Sequence, residues 1–273
     1  MSLFVTSLNS GSNGNCFYIG NKTEAVLIDA GISCRETEKR MKNLHLSMQQ
    51  VKAIFISHEH SDHIRGVQVM ATKYKLPVYI TPDTLYRSNL LLEKDIVRSF
   101  TANESVQIGN LTVIPFTKHH DAIDPYSFVI EESGTKVGVL TDIGTLCEQV
   151  IHHFKQCNAV FLESNYDEQM LEEGNYPLHL KKRIRGGKGH LSNKQALDLF
   201  ITHRPIFLSH VFLSHLSANN NNAELVHQLF TRHAGKTKIV VASRYRETPL
   251  YTISNNGDLF TELRSAQQMT LFE

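Results

Sequence analysis

The chain has no tryptophan and only four cysteines in 273 residues. Cys16, Cys34, Cys147 and Cys157 stand far apart with no C-x-x-C pair, which excludes a disulfide framework and leaves reduced thiols as the expectation. Only 7 prolines and no low-complexity tract exclude a disordered or collagen-like chain. Nowhere do about 18 apolar residues run together, so no membrane-spanning helix is expected. The opening MSLFVTSLNSGSNGNCFYIG has no basic stretch followed by an apolar one, and the expected location is the cytoplasm. Charge of one sign is missing too: 28 Lys plus Arg against 27 Asp plus Glu exclude an acidic tail or a polycation, while leaving room for a local basic patch. What the chain does have in quantity is histidine, 15 residues.

At 31.0 kDa and 41% hydrophobic residues the chain is large enough for a single buried core, and no linker or fixed-period repeat divides it. The expectation is one domain over residues 1–273. Apolar runs at Leu3–Leu8, Cys16–Ile19, Ala25–Ile28 and Val51–Ile56 read as strands, with a helix over Arg35–Leu44. Helix spacing at Gly66–Tyr74 and Asp83–Leu92 brackets a strand at Pro77–Ile80, giving an α/β rhythm. The centre is richer in β: Val106–Ile108, Leu111–Phe116, Phe128–Glu131 and Lys136–Leu140. The α/β rhythm resumes with Val160–Leu162, a helix at Lys194–Ile201, the apolar run Ile206–Leu213, a helix at Asn222–His233 and the strand Lys238–Val241. Two mixed halves are expected.

Ser57-His58-Glu59-His60-Ser61-Asp62-His63 places four potential ligands, His58, His60, Asp62 and His63, directly after an apolar strand. His58 and His60 share one side of an extended segment, and Asp62 and His63 fall where the chain turns into a helix. Imidazole and carboxylate suit Zn²⁺, Mn²⁺ or Fe²⁺, and two ions about 3.5–4 Å apart can clamp a phosphodiester and generate hydroxide. Further polar residues follow apolar runs at His119 and His120, at Asp142, at His190 and at His215. Strand ends are where α/β enzymes gather their chemistry.

The pattern His-x-His-x-Asp-His, a later His, Thr-Asp-x-Gly and a late Ser-His resembles the metallo-β-lactamase superfamily, whose fold is a four-layer αββα sandwich with two mixed sheets. Within it the chain is most similar to the YycJ (WalJ) family of bacterial DNA exonucleases. The shared motifs are Ser10-Gly11-Ser12-Asn13-Gly14-Asn15, His120-Asp121-Ala122, Gly189-His190-Leu191-Ser192-Asn193 and Leu213-Ser214-His215-Leu216-Ser217 with Asn220-Asn221.

That resemblance implies His58, His60 and His120 on one divalent ion, Asp62, His63 and His215 on the other, and Asp142 between them. It selects His120 over His119, which becomes a neighbour of the ligands. It implies hydroxide attack on phosphorus, with Asp62 orienting the attacking water and His190 as the acid for the leaving oxygen. Glu163 is expected to orient His190, Ser192 to sit beside a phosphate, and Asn13 and Asn15 to line the rim. Asp29 is expected as a buried support of the metal loop.

The run Lys181, Lys182, Arg183, Arg185 and Lys188 precedes Gly189-His190 and is a candidate for holding a nucleic-acid backbone. Tyr166, Tyr176 and His179 are candidates for base stacking, and Arg244 and Tyr245 for further substrate contacts. The expected activity is a two-metal DNA exonuclease acting from 5′ ends. RNA or a small cyclic phosphodiester as substrate, and a non-catalytic nucleic-acid-binding scaffold, are the alternatives.

Overall fold

Continuous apolar runs become strands covered on both faces. In the computed structural model, which describes residues 2–255, the first half carries β1 (Ser2–Asn9), β2 (Cys16–Gly20), β3 (Ala25–Ile28), α1 (Cys34–Asn43), β4 (Val51–Phe55), α2 (Ser61–Ile64), α3 (Val67–Tyr74), β5 (Val78–Tyr79), α4 (Pro82–Ser88) and β6 (Val97–Arg98). The second half carries β7 (Val106–Ile108), β8 (Leu111–Thr117), β9 (Tyr126–Glu132), β10 (Thr135–Leu140), α5 (Glu148–Phe154), β11 (Ala159–Glu163), α6 (Glu168–Glu173) and α7 (Leu178–Ile184). It ends with α8 (Asn193–His203), β12 (His210–Ser214), α9 (Ala223–Thr231), β13 (Lys238–Val241) and β14 (Tyr251–Ser254).

Two mixed sheets result, ordered β14-β1-β2-β3-β4-β5-β6 and β13-β12-β11-β10-β9-β8-β7. Alternation along each strand divides its side chains between two cores. In β2, Phe17 and Ile19 face the second sheet while Cys16 and Tyr18 pack with Met41 of α1 and Met70 of α3. In β11, Phe161 faces the first sheet, packing on Phe17 with ring centroids 4.9 Å apart, while Val160 and Leu162 join Val150 of α5 and Phe200 of α8. The layers therefore run helix, sheet, sheet, helix. The pairs β3–β4, β10–β11 and β11–β12 are parallel, and the loops leaving their carboxyl ends carry the polar motifs.

Ser33, Ser192 and Asn222 cap α1, α8 and α9 with their side-chain oxygens. The expected helix Asp83–Leu92 is shorter: Asn89 turns left-handed (φ 55°) and ends α4 at Ser88. The apolar run from Ile206 pairs only from His210, opposite Ala159 and Lys238, and leaves Ile206 and Phe207 exposed in the connection. Helices α5, α6 and α7 and strands β6 and β14 were not legible, being short or lacking an apolar stripe. None of the described helices is long and apolar enough to cross a membrane.

Candidate metal centre

The loop after β4 is held from beneath by Asp29, at the end of β3. Its carboxylate accepts from the Ser57 backbone N–H and hydroxyl, both at 2.8 Å, and from His63 Nδ1 at 2.6 Å. Ser57 Oγ in turn accepts from His58 Nδ1 at 2.9 Å. The loop then lies on backbone that only glycine can supply: a Cβ on Gly31 would sit 1.6 Å from the Asp62 carbonyl oxygen. Asn15 closes the side, its N–H bonded to Asp62 O at 2.7 Å and its Nδ2 at 3.2 Å from Asp62 Oδ2.

The second sheet brings His120, Asp142, Glu163, His190 and His215 from separate strand ends and loops. Donor atoms of His58, His60 and His120 lie within 4.8 Å of one another, as do those of Asp62, His63 and His215. Asp142 stands between the sets, with Oδ2 3.3 Å from His63 Nε2 and Oδ1 3.8 Å from His120 Nε2 and 3.4 Å from His215 Nδ1. Asp29, Asp142 and His215 all have left-handed backbone, with φ of 60°, 57° and 57°. Such conformations in non-glycine residues persist where surrounding structure enforces them, and cluster at functional sites.

The arrangement of ring nitrogens fits divalent cations. His120 Nδ1 donates to Gly189 O at 3.0 Å, His63 Nδ1 to Asp29, and His215 Nδ1 to Glu163 Oε1 at 3.1 Å, which leaves each Nε2 facing the cluster. His120 Nε2 and Asp142 Oδ2 are buried without a hydrogen-bond partner among the described residues. Five neutral imidazoles with two carboxylates, Asp62 and Asp142, form a donor set of charge −2 suited to hard-to-borderline divalent ions.

The electrostatics agree. Burial, reinforced by His63 and Lys118, pushes His58 well below its ordinary pKa, and burial takes His120 down to about 3. Burial also opposes charge on His63 and His215, but Asp142 with Asp29 outweighs it at the first, raising it, and Asp142 with Asp62 and Glu163 lifts the second to about 10. Burial is likewise overcome at Asp142, held well below the carboxylate range by His215 and His63. Without a cation the cluster thus keeps protons on His63 and His215, and an ion must displace them.

The sequence of residues 24–215 matches the family described as Beta-lactamase superfamily domain. The chain is 35% identical over 228 residues to the exodeoxyribonuclease YycJ of Bacillus anthracis, covering 82% of this chain and 86% of the relative. The chain belongs to the metallo-β-lactamase superfamily. Within that superfamily it is of the YycJ/WalJ type, and it is 29% identical over 244 residues to the exodeoxyribonuclease WalJ of Streptococcus pneumoniae strain D39, covering 88% of this chain and 91% of the relative. The fold is shared with the metallo-β-lactamase fold protein YhfI from Bacillus subtilis: TM-score 0.72 at 13% identity, covering 92% of this chain and 100% of that one. As a member of the superfamily with this His and Asp cluster, the protein is a metal-dependent hydrolase.

Around the metallo-β-lactamase cluster, the remaining sequence candidates divide. His190 Nδ1 donates to Glu163 Oε1 at 2.8 Å, and Glu163, fully buried, also accepts from the Ile143 and Leu191 backbone N–H groups. Glu163 thus holds the His190 and His215 rings together. Asn13 is exposed at the rim, whereas Asn15 is buried against Asp62 and His63, a correction to its reading as a substrate contact. Ser192 is corrected too: it is buried, caps α8 at Gln195 N and donates to Glu168 Oε1, so it has no face for a phosphate. Tyr166 is buried, and His119 is exposed, paired by a backbone bridge to Thr145.

The basic run forms α7 and its exit. Arg183 is tied to Asp121, Arg185 to Glu172 Oε2 at 2.8 Å, and Lys181 to the Glu172 carbonyl, while Lys182 and Lys188 are exposed. Sequence reasoning missed Lys118, whose Nζ is buried and donates to Thr141 O at 2.6 Å, placing a fixed cation behind Asp142. A lysine two residues before the candidate ligand His120 was the only signal.

Proposed function

We propose that the protein is a nuclease that hydrolyses DNA phosphodiester bonds as a 5′-to-3′ exonuclease, using two divalent ions, Zn²⁺ or Mn²⁺, on His58, His60, Asp62, His63, His120, Asp142 and His215. The observation that carries this reading is His190, fixed by a buried carboxylate at the edge of the ligand cluster, with the basic helix α7 leading into it. The names of the two exodeoxyribonuclease relatives support DNA as the substrate and an exonuclease mode. When bound, the ions supply Lewis acidity toward the phosphoryl oxygens and make a water nucleophilic near neutral pH.

The chain's own residues do the rest. Asp62, whose side chain keeps 18% exposure beside two ligand histidines, orients the attacking water and takes up its proton. Attack at phosphorus breaks the bond to the sugar oxygen, which leaves with a proton from His190 Nε2. Glu163 occupies Nδ1, so Nε2 is the nitrogen free for that transfer. Lys182 and Lys188 hold the strand's phosphates by charge.

The decisive measurement pairs ion content with hydrolysis of 5′-phosphorylated, 5′-hydroxyl, single-stranded and duplex DNA and matched RNA. Two ions per chain and degradation of DNA from the 5′-phosphorylated end are expected. His190→Ala is expected to keep its ions and slow hydrolysis by about 10²–10⁴-fold. Ion-loaded protein that cleaves no nucleic acid refutes the nuclease, and preferential RNA cleavage refutes DNA as its substrate.

A further inference from the structure

We propose that Arg65, Asn13, Arg244 and Tyr245 form a second nucleic-acid-binding surface, on the Asp62–His215 side of the cluster and away from α7, in which Tyr245 stacks on an unpaired base and the two arginines hold the flanking phosphates. The inference rests on the nuclease reading and adds to it a place for the strand. The residues form a continuous rim: Arg65 Nη1 donates to Asn13 O at 3.1 Å, and Asn13 Nδ2 donates to Arg244 O at 3.0 Å. Arg244 Nη2 reaches back to Leu216 O at 2.9 Å, the residue after His215. The rim is joined to the centre by Ser10, whose hydroxyl accepts from the His215 N–H at 2.8 Å and whose own N–H donates to Ser243 O at 3.1 Å.

Two features set this rim apart from ordinary surface. The first is charge. On α7, Arg183 and Arg185 are each answered by a carboxylate, whereas among the described residues Arg65 and Arg244 bond only to carbonyl and hydroxyl oxygens and make no ion pair. Their charge is available to a phosphate. The second is Tyr245. The residue is 82% exposed, yet its backbone is pinned from below: the buried Arg40 donates to Tyr245 O at 3.2 Å while also holding Leu8 O and Asn9 Oδ1, and Tyr245 N donates to Ser243 Oγ at 3.0 Å. A large exposed aromatic on immobilised backbone is what a stacking platform needs, because little backbone order is lost when a base arrives.

The test measures binding of a fluorescent, phosphorothioate-linked single-stranded DNA, which resists hydrolysis, to the full-length, ion-loaded protein across a salt series. Tyr245→Ala is expected to raise Kd about tenfold, and Tyr245→Phe to stay within about twofold, since stacking needs the ring and not the hydroxyl. Arg65→Gln and Arg244→Gln are each expected to make the slope of log Kd against log salt shallower by about 0.7. Arg65 is exposed on α2's C-cap, so its replacement tests the charge independently of the more deeply bonded Arg244. Unchanged affinity in Tyr245→Ala, an equal loss in Tyr245→Phe, salt slopes unmoved in both arginine variants, or no strand binding by the wild type overturns the surface. Wild-type protein that binds the strand but does not hydrolyse the natural one defeats the nuclease reading and leaves the surface standing.

Discussion

His58, His60, Asp62 and His63 come from one short segment, the loop after β4 and the helical turn α2, whereas His120, Asp142 and His215 come from three strand ends far apart in sequence. The first share is local, and its supports come from neighbouring strands of the same sheet: the buried Asp29 carboxylate, with Ser57 as intermediary, and Asn15 against Asp62 and His63. The second is assembled by tertiary structure and needs several supports: Glu163 under His190 and His215, Lys118 behind Asp142, and a buried amide network. In that network Ser164 Oγ donates to Asn193 Oδ1 at 2.7 Å, and Asn221 Nδ2 holds Ser164 O, Asn165 O and Asn193 Oδ1. A compact motif can rest on a few supports at adjoining strand ends, but a dispersed one has to be built into the packing of the sheet.

Asp142 tests this contrast most severely, because it faces both sets. Asp142→Ala is expected to empty both ion positions and bring hydrolysis below detection, while His60→Ala depletes one position; ion content by elemental analysis separates the two, and retention of both ions in Asp142→Ala breaks the picture of a shared carboxylate. Asp29→Ala is expected next, lowering ion affinity about 10–100-fold in a chelator competition because the whole loop loses its support. Asn221→Ala is expected to lower stability by about 1–3 kcal/mol, read from denaturant midpoints, by leaving buried carbonyls unpaired. Its effect on ion affinity should be smaller than that of Asp29→Ala. The reverse order would mean that the amide network, and not the sheet, positions His215.

The same contrast explains what the sequence disclosed. The strands in the centre of each sheet were readable because burial on both faces leaves continuous apolar runs, and the loop after β4 because its ligands are adjacent. Asn15 and Ser192 were misread as substrate contacts, since nothing in a short polar motif distinguishes a side chain turned to solvent from one turned inward to cap a helix or brace a ligand. Helix α7 was read only as a basic run, because none of its residues is buried and it has no apolar stripe to reveal its period. Lys118 and Arg40 stayed hidden for a related reason: a buried cation is defined by carbonyls that only the folded chain supplies.

The left-handed backbone at Asp29, Asp142 and His215 links two alphabets. Asn, Asp, His and Gly are the residues that enter this conformation most readily, and two of them, Asp and His, are also good ligands for hard and borderline cations. A strand that must bend sharply at its end and a metal that must be held there therefore draw on the same small set of side chains. Glycine would satisfy the bend and relieve its strain, but would remove the carboxylate or imidazole. Grafting the centre onto another sheet would thus require copying three bends along with seven side chains.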